Sequence, residues 1–198
     1  YPLPDGFYYY ERDPDTGLNR EKPVERRHRP DESGGEGAYL FARFIHQLLY
    51  EPGKNLYGMM KILCNKVQGS GMEGVFHRLE HLVKVALFDC RDCGDCALID
   101  VAYLCPMSQC PKNQRNGSCG GSFQGWCEVY PGKRRCIYVR AYDRLQRHGG
   151  EGQLEEDITP PCNWDLYQSS SWINYYLGKD HASRRQDAES AAHQSRGE

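Results

Sequence analysis

Eight of the chain's ten cysteines fall between Cys90 and Cys136, and so dense a group needs a local chemical reason. Cys90, Cys93 and Cys96 follow one another at C-x2-C-x2-C spacing, which puts three thiols on one tight loop. Disulfides would demand an oxidising compartment. The chain shows no charged-then-apolar signal segment at its start, and its 39% hydrophobic residues suffice for a core without covalent staples. Converging thiolates suit a metal site instead. Zinc usually draws two cysteines from each of two loops, whereas a C-x2-C-x2-C run followed by Cys-Pro resembles the cubane iron–sulfur pattern. Here the next cysteine is Cys105, followed by Pro106, after eight intervening residues rather than three. The spacing therefore keeps both iron–sulfur and zinc open. Asp92 and Asp95 sit on the same loop and argue against a strongly negative centre there.

A second set follows: Cys110, again before a proline, then Cys119, Cys127 and Cys136. Eight cysteines allow two four-thiolate sites. Gly117, Gly120, Gly121 and Gly125 let the backbone turn tightly and aim amides at bound sulfur, and Phe123 and Trp126 are placed to exclude water. From Met107 to Arg147 there are eight Lys/Arg against two Asp/Glu, a net +6 that would offset anionic metal centres. The same charge also reads as a solvated face or a nucleic-acid surface. Cys64, within a helical pattern, reads as a buried structural thiol, and Cys162, beside a double proline, as a spare ligand.

Residues Tyr1–Gly37 hold nine acidic and six basic side chains with several prolines and glycines, the composition of an extended arm or linker. The chain begins at Tyr1 rather than Met, which suggests a piece of a longer polypeptide. Helical periodicity follows at Ala38–Tyr50, Leu56–Val67 and Glu73–Phe88. Cys136–Val139 reads as a short strand and Ala141–Arg147 as a helical turn. Ser169–Ser171 offers an N-cap to a short helix through Leu177, and beyond Lys179 the chain is polar. The expected fold is α+β, mainly helical, with a cysteine-rich, loop-dominated metal-binding region. Its parts are an arm at 1–37, one domain at 38–182 and a polar, disordered tail at 183–198. With a mean hydropathy of −0.77 and no apolar run of about 20 residues, neither a membrane span nor a secretion signal is supported, and a cytoplasmic protein is expected.

Two other motifs compete. His77-Arg-Leu-Glu-His81 matches H-x-x-E-H, which on a helix can present two histidines to zinc with the glutamate as base, but no third ligand or substrate cleft accompanies it. The glycines around Asn116–Gly121 lack the lysine-serine sequel of a P-loop, and no local signature selects a nucleophilic cysteine.

Taken in order, Cys90-Arg-Asp-Cys-Gly-Asp-Cys96, Cys105-Pro-Met-Ser-Gln-Cys-Pro-Lys112, Asn116-Gly-Ser-Cys-Gly-Gly-Ser122, Gly125-Trp-Cys-Glu-Val129, Arg140-Ala-Tyr-Asp-Arg-Leu145 and Ser170–His181 resemble the methylenetetrahydrofolate reductase C-terminal family over roughly residues 38–182. That resemblance implies a cysteine-rich domain or small subunit beside a flavin-dependent (β/α)8 barrel. The eight residues Cys90, Cys93, Cys96, Cys105, Cys110, Cys119, Cys127 and Cys136 would then hold metal. The preferred species is [4Fe–4S], in an accessory role passing electrons to or from the flavin, with structural zinc as the alternative. FAD or FMN, the folate site and the catalytic residues are expected on the barrel, fused or separate, and a further electron-donor protein is expected as partner. No eight-fold strand–helix alternation exists in these 198 residues, so no catalytic residue is assigned here. Membrane and nucleic-acid partners are not expected.

Overall fold

The computed structural model describes residues 35–51, 54–150, 152–156 and 158–183. Apart from Gly35–Gly37 and Ser183, the expected arm and tail lie outside the described residues. Three helices come first: α1 (Glu36–Leu49), α2 (Asn55–Val67) and α3 (Glu73–Phe88). They occupy the three stretches of helical periodicity. Between α2 and α3 the glycine-rich turn is tied by the Gly69 N–H, which donates to Glu73 Oε2 at 2.6 Å, so the first-turn carboxylate of α3 anchors its own approach.

The stretch from 89 to 136 is mostly irregular, broken by the single turn of α4 (Pro106–Gln109). Its only bridges among the described residues pair Phe123 with Trp126 and Trp126 with Arg135. Then come α5 (Ile137–Arg147), the short α6 (Gln153–Glu156), a 3-10 turn at Trp164–Leu166 and α7 (Ser171–Tyr176). No strand forms among the described residues, so the β part of the expected fold is corrected to a helical one. Ile137–Val139, expected as strand, begin α5. The reason is the longer stripe: Ile137, Ala141 and Leu145, four residues apart, are all buried on one helix face, a period that three residues cannot reveal.

Three apolar clusters hold the elements together. Tyr39 of α1 meets Val101, Ala102 and Leu104 of the irregular region and the buried face of α5. Phe88, Leu98, Met107, Cys93 and Cys105 pack around the end of α3. Cys64 of α2 lies fully buried against Ile173, Tyr175 and Tyr176 of α7, and burial pushes its thiol up to about 11. The two tyrosines also close the end of α1, where Tyr176 donates to the Leu49 carbonyl and Tyr175 to that of Tyr50, both at 2.7 Å. These satisfy carbonyls that a helix end leaves without intrahelical partners.

Not every apolar stripe is buried. Leu40, Phe41 and Phe44 of α1 and Val75, Leu79, Leu82 and Val83 of α3 are exposed, Leu82 by 69%. No helix among the described residues is long and apolar enough to cross a membrane.

Candidate functional site: two thiol-lined cavities

Asp89 caps α3 in the left-handed conformation (φ 55°) and throws the chain into the three-thiol loop. Asp tolerates that conformation better than most residues because its short side chain can bond locally. Within the loop Gly94 has φ 73°, and a Cβ there would run into the backbone carbonyl of Leu166, so the 164–166 turn presses directly on the loop. The result is a small cavity lined by Cys90, Cys93, Cys96 and Cys105, closed by Glu80, His81 and Lys84 of α3 and by Ser171 of α7.

Burial pushes the Cys90 thiol up to about 12 even though Lys84 opposes it, with Cys105 and Cys96 adding repulsion. Burial likewise holds Cys105 at about 11, reinforced by Cys93 and Cys96. Cys96 is raised by burial against the pull of Lys84. Four such thiols cannot all ionise together unless a metal cation compensates them, which is the electrostatic condition of a thiolate-ligated centre. Backbone donors are already in place, since the Asp92 N–H reaches Cys90 Sγ at 3.4 Å. The acids of the loop do not oppose this. Asp92 binds His77 Nε2 at 2.8 Å. Asp95, 1% exposed, lies between Arg115 (3.2 Å) and His181 (2.6 Å). Burial alone would raise its carboxyl, but His181, the Asn163 N–H and Arg115 together hold it well below the usual carboxylate range. Arg115 and His181 thus offset the charge of Asp95, while Asp92 remains in the cavity wall.

His181 bridges two carboxylates, Nδ1 to Asp95 at 2.6 Å and Nε2 to Asp100 at 2.7 Å. With an acceptor on each ring nitrogen, the doubly protonated imidazolium is the form that satisfies both. Burial opposes that charge, but the bonds to Asp100 and Asp95 outweigh it and bring the ring to about 9. The polar stretch after Lys179 is thus packed as far as Ser183: Asp180, His181 and Ser183 are all buried.

The second set gathers around a separate cavity lined by Cys110, Cys119, Cys127 and Cys136, with Gln109, Lys112, Glu128 and Tyr138 in its wall. Cys110 ends α4 and Cys136 is the N-cap of α5. The segment between is folded back by the Cys127 N–H to Arg134 carbonyl bond and the Cys136 N–H to Gly125 carbonyl bond, both 2.9 Å. Burial raises Cys110, against which the Gln114 and Lys112 N–H groups donate to its sulfur. Cys119 itself is exposed, and Phe123, expected to exclude water, is 75% exposed. Its ring lies outside the packed wall because the Phe123–Trp126 bridge engages only the backbone.

Each cavity also has in its wall a residue with a buried nitrogen that has no hydrogen-bond partner among the described residues: His81 Nε2 at the first, Gln109 Nε2 at the second. Arg140 donates to Gln109 Oε1 at 2.7 Å, which fixes the amide so that its NH2 group is the orphan. Buried polar nitrogens left without partners call for an explanation such as an absent ion. Sulfur-rich clusters accept such bonds. Among the described residues no three His, Cys, Asp or Glu side chains are grouped so as to hold a metal ion. The thiols instead line cavities, as ligands of a multi-atom cluster do when they bind different atoms of it. The donor chemistry and the orphan nitrogens fit such a group.

The remaining motifs have structural roles. Glu80 of H-x-x-E-H is buried and accepts from Ser171 Oγ at 2.6 Å, from Ser170 and from the Trp172 N–H, so it is not a free base. Within the basic segment Arg115 and Arg144 are buried, with Arg144 donating to the Ala102 carbonyl, while Lys112, Arg135 and Arg147 pair at the surface with Glu128, Asp143 and Glu36. Cys162 hydrogen-bonds with Cys93 behind the first cavity rather than lining it. Lys84 had no mark in the sequence, and Gln109 and His181 stood only within the quoted motifs without a role, since their roles arise from what the fold sets beside them.

Residues 70–165 match the family described as methylene-tetrahydrofolate reductase C terminal. That segment is similar to the family. It contains all eight clustered cysteines, Lys84, His81 and Gln109, while α1 and α7 lie outside the matched stretch. No match was found among curated proteins or among solved structures. The family description associates the methylene-tetrahydrofolate reductase C-terminal segment with that reductase.

Proposed function

We infer that this domain is an iron–sulfur accessory module of methylenetetrahydrofolate reductase, passing electrons to or from the flavin of the partner barrel. The observation that carries the reading is the partition of the eight cysteines into two cavities of four, Cys90/Cys93/Cys96/Cys105 and Cys110/Cys119/Cys127/Cys136. Those residues would hold one [4Fe–4S] cluster each. When bound, such clusters supply one-electron transfer, which zinc does not.

This chain's own residues supply the rest. The loop turned at Gly94 presents three thiols to one cavity, and the Asp92, Lys112 and Gln114 amides donate to cysteine sulfur. The Asp95–Arg115–His181 set neutralises the loop acid beside the first cavity. The exposed apolar faces of α1 and α3 support a protein partner, since contiguous surface of that kind marks interaction sites.

The test is anaerobic purification followed by iron, sulfide and zinc analysis, with a visible spectrum before and after dithionite. About eight iron and eight sulfide per chain, with broad absorption that bleaches, is the expected result. Stoichiometric zinc without colour would overturn the redox reading and leave a structural zinc domain of the same assembly.

A further inference from the structure

We propose that Lys84 is a fixed internal cation that biases the reduction equilibrium of the first thiol site toward its reduced form. The proposal rests on the iron–sulfur reading above. Lys84 is 7% exposed, and its Nζ lies 3.4 Å from Cys96 Sγ, 2.6 Å from Ser171 Oγ and 3.4 Å from Glu80 Oε1. It lines the same cavity as Cys90, Cys93, Cys96 and Cys105.

A buried ion pair is a poor device for stability, because well-packed hydrocarbon of the same volume usually does as well or better. Its use here follows from how it is anchored. The N-terminal turn of α7 holds the carboxylate, through Ser170, Ser171 and the Trp172 N–H, and Ser171 accepts from Lys84 while donating to Glu80. The ammonium is left in contact with a ligand sulfur. Reduction adds one electron to the site, with no bond made or broken and no proton required. A cation already beside the sulfur favours the more negative, reduced form.

The second cavity has no comparable arrangement in its wall. Lys112 and Arg135 there pair with Glu128 and Asp143 at the surface, all four side chains more than 40% exposed, so water and salt screen their charge. One chain therefore carries a site with a desolvated cation and a site without one.

The experiment is an anaerobic, dye-mediated redox titration of the full chain with dithionite, followed by electron paramagnetic resonance, on wild type, K84Q and E80Q. In K84Q one of the two components is expected to lose at least tenfold in its reduction constant, a shift of about 59 mV to more negative potential for a one-electron couple, while the other stays in place. E80Q is expected to move the same component the opposite way. A C127S background, keeping only the first site, assigns the component that moves. Unmoved midpoints, movement of both components, or shifts of the same sign in the two variants would overturn the proposal. If K84Q fails to hold iron at the first site, the sign of the E80Q shift decides. Loss of iron there in both variants would make the pair structural and overturn it. Iron present with unmoved midpoints defeats this proposal alone, whereas wild type without iron defeats the iron–sulfur reading itself.

Discussion

His181→Gln is expected to flatten the pH dependence of stability between pH 6 and 9.5. In the folded chain the imidazolium lies between Asp95 and Asp100, its side chain only 6% exposed, and its pKa is raised from 6.5 to about 9. A raised pKa means that the folded state binds the proton more tightly, so the contribution is complete below pH 6.5 and is lost as the pH rises through 9. At about 1.4 kcal/mol for each pH unit, that rise is worth about 3 kcal/mol. The assay is anaerobic urea unfolding of the full chain and of the variant at pH 6 and pH 9.5. Cysteine titration in the unfolded chain also falls in this window, but it is common to both proteins and cancels in their difference. Wild type should exceed the variant by about 3 kcal/mol more at pH 6 than at pH 9.5. The same pH profile in both proteins would refute the reasoning, because it would mean that His181 titrates alike folded and unfolded.

Cys105→Ser and Cys127→Ser should each lower bound iron and sulfide to about half, since their thiols line different cavities. A variant that loses everything, or nothing, would show that the two sets do not work as separate sites, and iron and sulfide analysis reads this directly. Gly94→Ala should empty the first site while sparing the second, because the added methyl meets the Leu166 carbonyl at a left-handed backbone position. Strain of this kind costs about 1–3 kcal/mol before the clash is counted. Full iron content in this variant would show that the 164–166 turn can move aside.

The helices at 36–67 and 73–88 were legible because each carries an apolar period over three or more turns, bounded by glycine or proline. The grouping of the eight cysteines was visible for a different reason, since thiols stand out in a sequence wherever they lie, whereas their division between two cavities came only with the fold. Residues 137–139 misled because Ile-Tyr-Val, two β-branched residues around an aromatic, looks alike at the start of a helix and in a strand, and only the burial of Ala141 and Leu145 separates them. Asp95, His181 and Arg115 were illegible as a group, because the first two stand 86 positions apart along the chain. Lys84 looked like an ordinary polar position on an amphipathic helix, and Ser171, remote in sequence, is what turns it into a buried donor. Long-range polar pairing of this kind leaves no local periodicity to read.

The two tyrosine bonds that tie α7 to the end of α1 also order events during synthesis. All eight clustered thiols emerge from the ribosome before Ser171, Tyr175, Tyr176 and His181, and about 45 residues separate Cys136 from His181. At about 5–20 residues per second, the thiols spend roughly 2–9 s made but not yet covered by α7. Until then the wall that later contains Ser171 is open. Once α7 has docked, access to the first cavity from that side waits on its release, which ties the accessibility of Cys96 and its neighbours to the local opening of one six-residue helix.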